Sequence, residues 1–190
     1  MRNFVSVNGL NHAAYRCRDA EETRHFYEDI MGLPLIHVVR GDVVSTGEQG
    51  VFAHLFFQMT DGSCIAFFDL GDNIAGEPSP NTPGWVNHLA LQVESEANVD
   101  EAKTRLETAG VEVLGPKLHD GQFRSIYFFD PNGIRLELTV NTTSAEEKKG
   151  FRSNARADCD AWMKEKTARL AAMAADTAAT RASPDVKRAC

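Results

Sequence analysis

Alternation of apolar and polar positions dominates the chain between residues 10 and 140, and it comes in short runs separated by turn residues. Residues 10–17 (Leu-Asn-His-Ala-Ala-Tyr-Arg-Cys) predict a strand, and Asp19 followed three residues later by Glu22 predicts the capped start of a helix that runs to Met31 and stops at Gly32. Strands are expected at 33–39, 51–59 and 63–70, with a polar connection over 40–50 and a hairpin turn at Thr60-Asp61-Gly62. After a stretch rich in Gly and Pro at 71–84, the order restarts. Val86-Asn-His-Leu-Ala-Leu-Gln-Val echoes the first strand, a helix is expected over 99–109 with Gly110 as its stop, and strands follow at 111–114, 125–129 and 134–140. The last two flank the turn sequence Asp130-Pro131-Asn132-Gly133.

The repeat sets the fold class: α+β, two paired βαβββ modules over residues 8–70 and 85–140 joined by the 71–84 linker, together a domain spanning 1–140. An open sheet covers one face with its helix, so two modules side by side enclose a cavity with their other faces. From residue 144 the composition shifts to Ala, Lys, Glu and Arg, and 141–190 reads as a helical C-terminal extension. Ser144 and Glu147 form its capping box, and Phe151, Cys159, Trp162, Met163, Leu170 and Met173 make an apolar stripe interrupted by Gly150. That helix is expected to pack on the outside of the domain or against a second subunit.

Composition narrows the function. A net charge of -7 with no basic stripe argues against nucleic acid and against docking on an anionic membrane. No apolar run reaches membrane-spanning length and no secretory leader opens the sequence, so a cytoplasmic protein is expected. The four cysteines are far apart and predict free thiols rather than a metal knuckle or disulfide framework.

Candidate chemistry lies on the repeat. His12 and His88 occupy the same place on the first strand of each module, each followed two residues on by an alanine that leaves space beside the ring. Glu137 stands on the last strand opposite the apolar face of Leu136, Leu138 and Val140. Two imidazoles and one carboxylate form a facial triad that leaves positions open on an octahedral ion and suits Fe(II) or Mn(II).

These residues, on paired βαβββ modules, resemble the vicinal oxygen chelate superfamily, which includes glyoxalases, methylmalonyl-CoA epimerases, fosfomycin-resistance thiol transferases and extradiol dioxygenases. The resemblance covers residues 8–140. It implies a metal site of His12, His88 and Glu137. The fourth ligand of the glyoxalase and epimerase branches falls on Ala66, which cannot bind metal, and this favours the three-ligand branches. His119, Ile126, Tyr127, Asp130, Pro131, Gly133 and Glu137 match the extradiol signature, although Lys117 stands where that family has a small or aliphatic residue. The resemblance then implies an Fe(II)-dependent dioxygenase that cleaves a catechol-type aromatic diol with O2, with His119 and Tyr127 hydrogen-bonding the substrate. The family's first-module catalytic histidine is replaced by Ser63-Cys64, and His54 on the adjacent strand is the candidate to serve in its place. Phe52, Phe56, Phe67, Phe123 and Phe129 are candidates for an aromatic pocket, and a homo-oligomer is expected. Two alternatives stay open: a Lewis-acid enzyme of the same fold using Mn(II) or Zn(II), as a thiol transferase or isomerase, and a non-enzymatic protein that binds aromatic ligands.

Overall fold

A computed structural model of the chain describes residues 5–43, 46–119 and 121–182. Strand β1 (His12–Cys17) leads into helix α1 (Ala20–Arg24), which continues as a π-helical turn over His25–Ile30. Asp19 caps α1 by accepting from the Glu22 amide at 2.7 Å. Then come β2 (Leu35–Val43), β3 (Gln49–Gln58) and β4 (Cys64–Asp69). The second module repeats the order with β5 (Leu89–Gln92), α2 (Glu96–Thr108), β6 (Leu114–His119), β7 (Phe123–Phe129) and β8 (Arg135–Asn141). The sheets have equivalent orders, β1-β4-β3-β2 and β5-β8-β7-β6, with the first pair of each parallel and the rest antiparallel. This is the paired βαβββ architecture.

Three boundaries differ from the sequence pattern. The connection read as polar from residue 40 to 50 is strand over residues 40–43 and 49–50, because Arg40 and Gly41 pair with Ala53 and Phe52 on β3, and cross-strand hydrogen bonds outweigh local polarity. In the second module the strand expected at 111–114 begins only at Leu114 and runs to His119, so His119 ends a strand and pairs with Phe123. Gly150 does not interrupt the C-terminal helix, since α3 (Ala145–Ala182) is continuous through it. Ser144 and Glu147 do form the capping box: Ser144 N and Oγ donate to Glu147 Oε2 at 2.8 and 2.6 Å, and Glu147 N donates back to Ser144 Oγ at 3.2 Å.

Each sheet buries one face. In the first module Tyr27, Phe57, Phe67 and Ile65 are inaccessible or nearly so, and Tyr27 stacks on Phe57 at 5.3 Å. The second buries Ile126, Phe128 and Leu136 against Val99 and Leu106 of α2. The modules are tied through the first module's helix and the 130–133 turn: Tyr27 Oη donates to Asp130 at 3.0 Å, Asn132 Nδ2 donates to Thr23 Oγ1 at 3.2 Å, and the Arg18 amide donates to Asn132 Oδ1 at 2.9 Å. These ties join the first module's helix and the residues that lead into it to the 130–133 turn. The chain divides into two compact units, Met1–Thr142 and Thr143–Cys190. No helix among the described residues is long and apolar enough to cross a membrane.

Candidate metal centre

Strand register places the candidate residues row by row. In the second module Ala90, Glu137 and Tyr127 share one row across β5, β8 and β7, on the face opposite Leu136 and Leu138. The equivalent row of the first module is Ala14, Ala66, Phe56 and His37. Ala66 therefore occupies the place of Glu137, and the first module offers no carboxylate there.

His88 Nε2 lies 3.0 Å from Glu137 Oε2, and Glu137 is only 8% exposed. His88 Nδ1 sits 2.9 Å from the Val86 carbonyl. A carbonyl only accepts, so Nδ1 carries a proton and Nε2 is the ring nitrogen turned to the carboxylate. A proton on Nε2 or a cation shared with the carboxylate satisfies this contact. Donors about 2.1 Å from a common ion in neighbouring octahedral positions stand roughly 3 Å apart, so the pair fits a shared divalent metal. His12 is held in the same tautomer, because Asn11 Oδ1 accepts from its Nδ1 at 2.7 Å and leaves Nε2 free. The donor set fits a metal ion.

The three donors do not meet within one chain. His12 contacts rings of its own sheet, His54 at 6.0 Å and Phe56 at 5.5 Å, and no group of three His, Cys, Asp or Glu side chains converges among the described residues. The structure thus brings together His88 with Glu137, and His12 with His54, as two half-sites on two sheets.

Around the second half-site, Tyr127 Oη and His119 Nε2 are 2.9 Å apart, joined because β6 extends far enough for His119 to reach over β7. Burial and the Glu137 carboxylate push the Tyr127 hydroxyl up, so it remains protonated and able to donate. Arg135 lies 4.3 Å above the Tyr127 ring and donates to the Trp85 carbonyl at 2.7 Å. A cavity of about 590 Å3 opens beside His88 and Arg135 under the 76–84 segment.

Around the first half-site, His54 stacks on Phe68 at 3.7 Å and its Nε2 is buried without a hydrogen-bond partner. Burial, then the neighbouring His12 and His37, push its pKa down, which keeps the ring neutral. Phe68 rather than Phe67 is the aromatic on this face. Phe67 packs on Tyr27 at 4.9 Å in the core, since it pairs with the inward Leu55. Phe68 and His37 were the residues sequence reasoning missed on this face. The signal that finds them is register, Phe68 opposite His54 and His37 opposite Phe56.

The fold is a pair of four-stranded mixed sheets built from duplicated modules. The sequence model of the Glyoxalase/Bleomycin resistance protein/Dioxygenase superfamily matches residues 9–138, and the chain belongs to that superfamily. It is 27% identical to the fosfomycin resistance protein FosX of Listeria monocytogenes, over 75% of this chain and 97% of that protein. It is 26% identical to a 2,2',3-trihydroxybiphenyl dioxygenase of Sphingomonas paucimobilis, over 82% of this chain and 45% of that one. A crystal structure of a FosX variant from Listeria monocytogenes with Mn(II) and 1S,2S-dihydroxypropylphosphonic acid superimposes with a TM-score of 0.52 at 25% identity, covering 75% of this chain and 98% of that one.

Proposed function

We propose that the protein is a divalent-metal enzyme that uses Lewis-acid chemistry to open a small strained or activated substrate, such as a phosphonate epoxide, by addition of water or a thiol. The observation that carries this reading is the His88–Glu137 pair, an imidazole nitrogen and a buried carboxylate facing each other at 3.0 Å, the spacing of two neighbouring ligands on one ion. FosX supports the reaction class, since its match spans nearly its whole length and its structure holds Mn(II) with a vicinal diol.

His12 completes the ligand set from a second copy of the chain, its first-module face lying against the second-module face of the partner. Support for this comes from the two half-sites: each presents Nε2 outward, and neither closes on the other within a chain. The bound ion supplies polarisation of the substrate oxygen. Tyr127, held by His119, then donates a proton to the oxygen released when the ring carbon–oxygen bond breaks, and the attacking water or thiol gives its proton to solvent. With water as nucleophile the product is a vicinal diol.

A second reading, extradiol cleavage of a catechol with Fe(II) and O2, is favoured by the Tyr127–His119 hydrogen bond beside Glu137 and by the dioxygenase relative. One experiment separates them. Protein loaded with Mn(II), and separately with Fe(II) under anaerobic conditions, is offered fosfomycin with water, glutathione or cysteine, and catechols with O2. Loss of epoxide with Mn(II) and no oxygen uptake is the expected result. Oxygen uptake with a coloured ring-fission product, seen only with Fe(II), would replace the first reading with the second.

A further inference from the structure

Arg135 and Glu137 stand two residues apart on β8, so their side chains leave the sheet on one face, which also carries Tyr127 and Phe129 of β7. Across the strands Arg135 pairs with Phe129 and Glu137 with Tyr127. Arg135 is half-buried, and two contacts fix its guanidinium: it lies 4.3 Å over the Tyr127 ring, and Nη1 donates to the Trp85 carbonyl at 2.7 Å. Together they set the plane of the group and use one end of it. The remaining Nε–Nη2 edge is a fork of two N–H donors, and among the described residues no carboxylate lies within ion-pair distance of it. Arg16, Arg18, Arg24 and Arg124 of the same unit, by contrast, pair with Asp72, Glu22, Glu21 and Asp100.

The guanidinium forms part of the wall of the 590 Å3 cavity that reaches His88. The other cation of that wall, Arg16, is engaged by Asp72 and by the Ile74 carbonyl at 2.8 Å. Asn87 is also occupied, since its Nδ2 donates to Ser79 Oγ at 3.2 Å. Glu77, the acid in the lining, is exposed on the 71–84 segment. Phe129 and Ile134 supply apolar surface next to Arg135. The His88 and Tyr127 rings stand 6.3 Å apart, so imidazole, carboxylate, phenol and guanidinium form one cluster. A partly buried cation without a counter-charge is costly, and an oxyanion that meets both donors of its fork removes that cost.

We propose that Arg135 is a specificity-determining residue, whose Nε–Nη2 edge binds an oxyanion, the carboxylate or phosphonate of a substrate with its apolar part against Phe129 and Ile134. This rests on the reading of His88 and Glu137 as metal ligands, and it adds which substrates are admitted beside them. An uncharged analogue of the same shape leaves the fork desolvated and unmet, and is rejected for that reason. Because the guanidinium covers the Tyr127 ring, the anion is held close to the hydroxyl that donates in the reaction.

The test compares propylphosphonate, butyrate and butyramide, ligands of similar size, by ligand-observed NMR titration of the full chain after treatment with a chelator. The same titrations are run on Arg135→Gln, Arg135→Lys and, as a control at an exposed arginine outside the cavity, Arg40→Gln, with circular dichroism to confirm folding. The parent is expected to bind at least one of the two anions about tenfold more tightly than butyramide. The better of the two identifies the group that the fork takes. Arg135→Gln should abolish the preference with butyramide binding unchanged, Arg135→Lys should keep part of it because charge remains without the fork, and Arg40→Gln should keep all of it. The proposal is overturned if the parent shows no preference for either anion, or if the preference survives in Arg135→Gln. It also fails if Arg135→Gln weakens butyramide as much as the anions, which is the result of a purely structural contact with Trp85 and Tyr127. Manganese binding by the same variants, read by electron paramagnetic resonance, reports separately on His88 and Glu137, so failure of the metal reading shows there and leaves the metal-free affinities as they are.

Discussion

Asp130 is a carboxyl group 5% exposed in the 130–133 turn, and it holds that turn by accepting from the amides of Asn132 and Ile134 at 2.9 and 2.7 Å while taking the Tyr27 hydroxyl from the other module. Burial pushes its pKa up despite those bonds. A carboxyl whose folded pKa is raised binds its proton more tightly folded than unfolded, so its contribution is most favourable below the unfolded value and is lost as pH rises through the folded one. Asp130→Asn removes this titration. The stability of the variant relative to the parent should therefore improve as pH rises from about 3.5 to 7, as read from urea midpoints; a pH-independent difference would refute the assignment. Thiol chemistry divides by burial in the same way. Cys17 is fully buried and desolvation pushes its pKa up to about 11, whereas Cys159 is exposed on α3. Titration of native protein with a thiol-reactive chromophore at pH 8 should label Cys159 promptly and leave Cys17 unreacted until the protein unfolds.

β6 is the element on which the second half-site depends most. Gly115 at its start has φ +110°, and a Cβ there would stand 2.8 Å from the Ser125 carbonyl oxygen of β7. No other residue fits this close approach without parting the two strands. Gly115→Ala is expected to cost about 1–3 kcal/mol in urea unfolding and to loosen the His119–Tyr127 hydrogen bond, which an upfield shift of the Tyr127 hydroxyl proton or lowered kcat would report. A neutral substitution at this position would show that β6 adjusts freely. The sequence hinted at none of this. Leu114-Gly-Pro-Lys looks like a strand end, and only the register shift between Leu114 and Lys117 reveals that the strand continues past it.

The two half-sites give the whole molecule its sharpest prediction. If His12 serves the metal of a partner, His12→Ala and His88→Ala are each inactive alone, yet an equal mixture allowed to exchange subunits regains activity. Random pairing leaves about a quarter of the sites intact, those with the unaltered His12 of one chain against the unaltered His88 of the other. No recovery after exchange, verified by mass, would place the ligand set within one chain. Manganese binding followed by electron paramagnetic resonance should recover in parallel, because a ligand is restored together with the reaction.

Periodicity, turn residues and the echo of Leu10-Asn-His in Val86-Asn-His determined the duplicated α+β fold. They did so because alternation and glycine punctuation are local properties that the backbone obeys wherever the chain goes. The same pattern put Glu137 opposite Leu136 and Leu138, a placement that follows from the two-residue period of a strand alone. Tertiary structure decided what local pattern cannot encode. It chose which residues face each other across strands, so that Phe68 and not Phe67 joins His54, and it kept β2 as strand through Gly41 despite its polarity. It also fixed how the modules join, through Tyr27, Asp130 and Asn132. The alternating pattern defines the faces of each module, but packing between modules depends on contacts more than a hundred residues apart in the chain, and no local period records them.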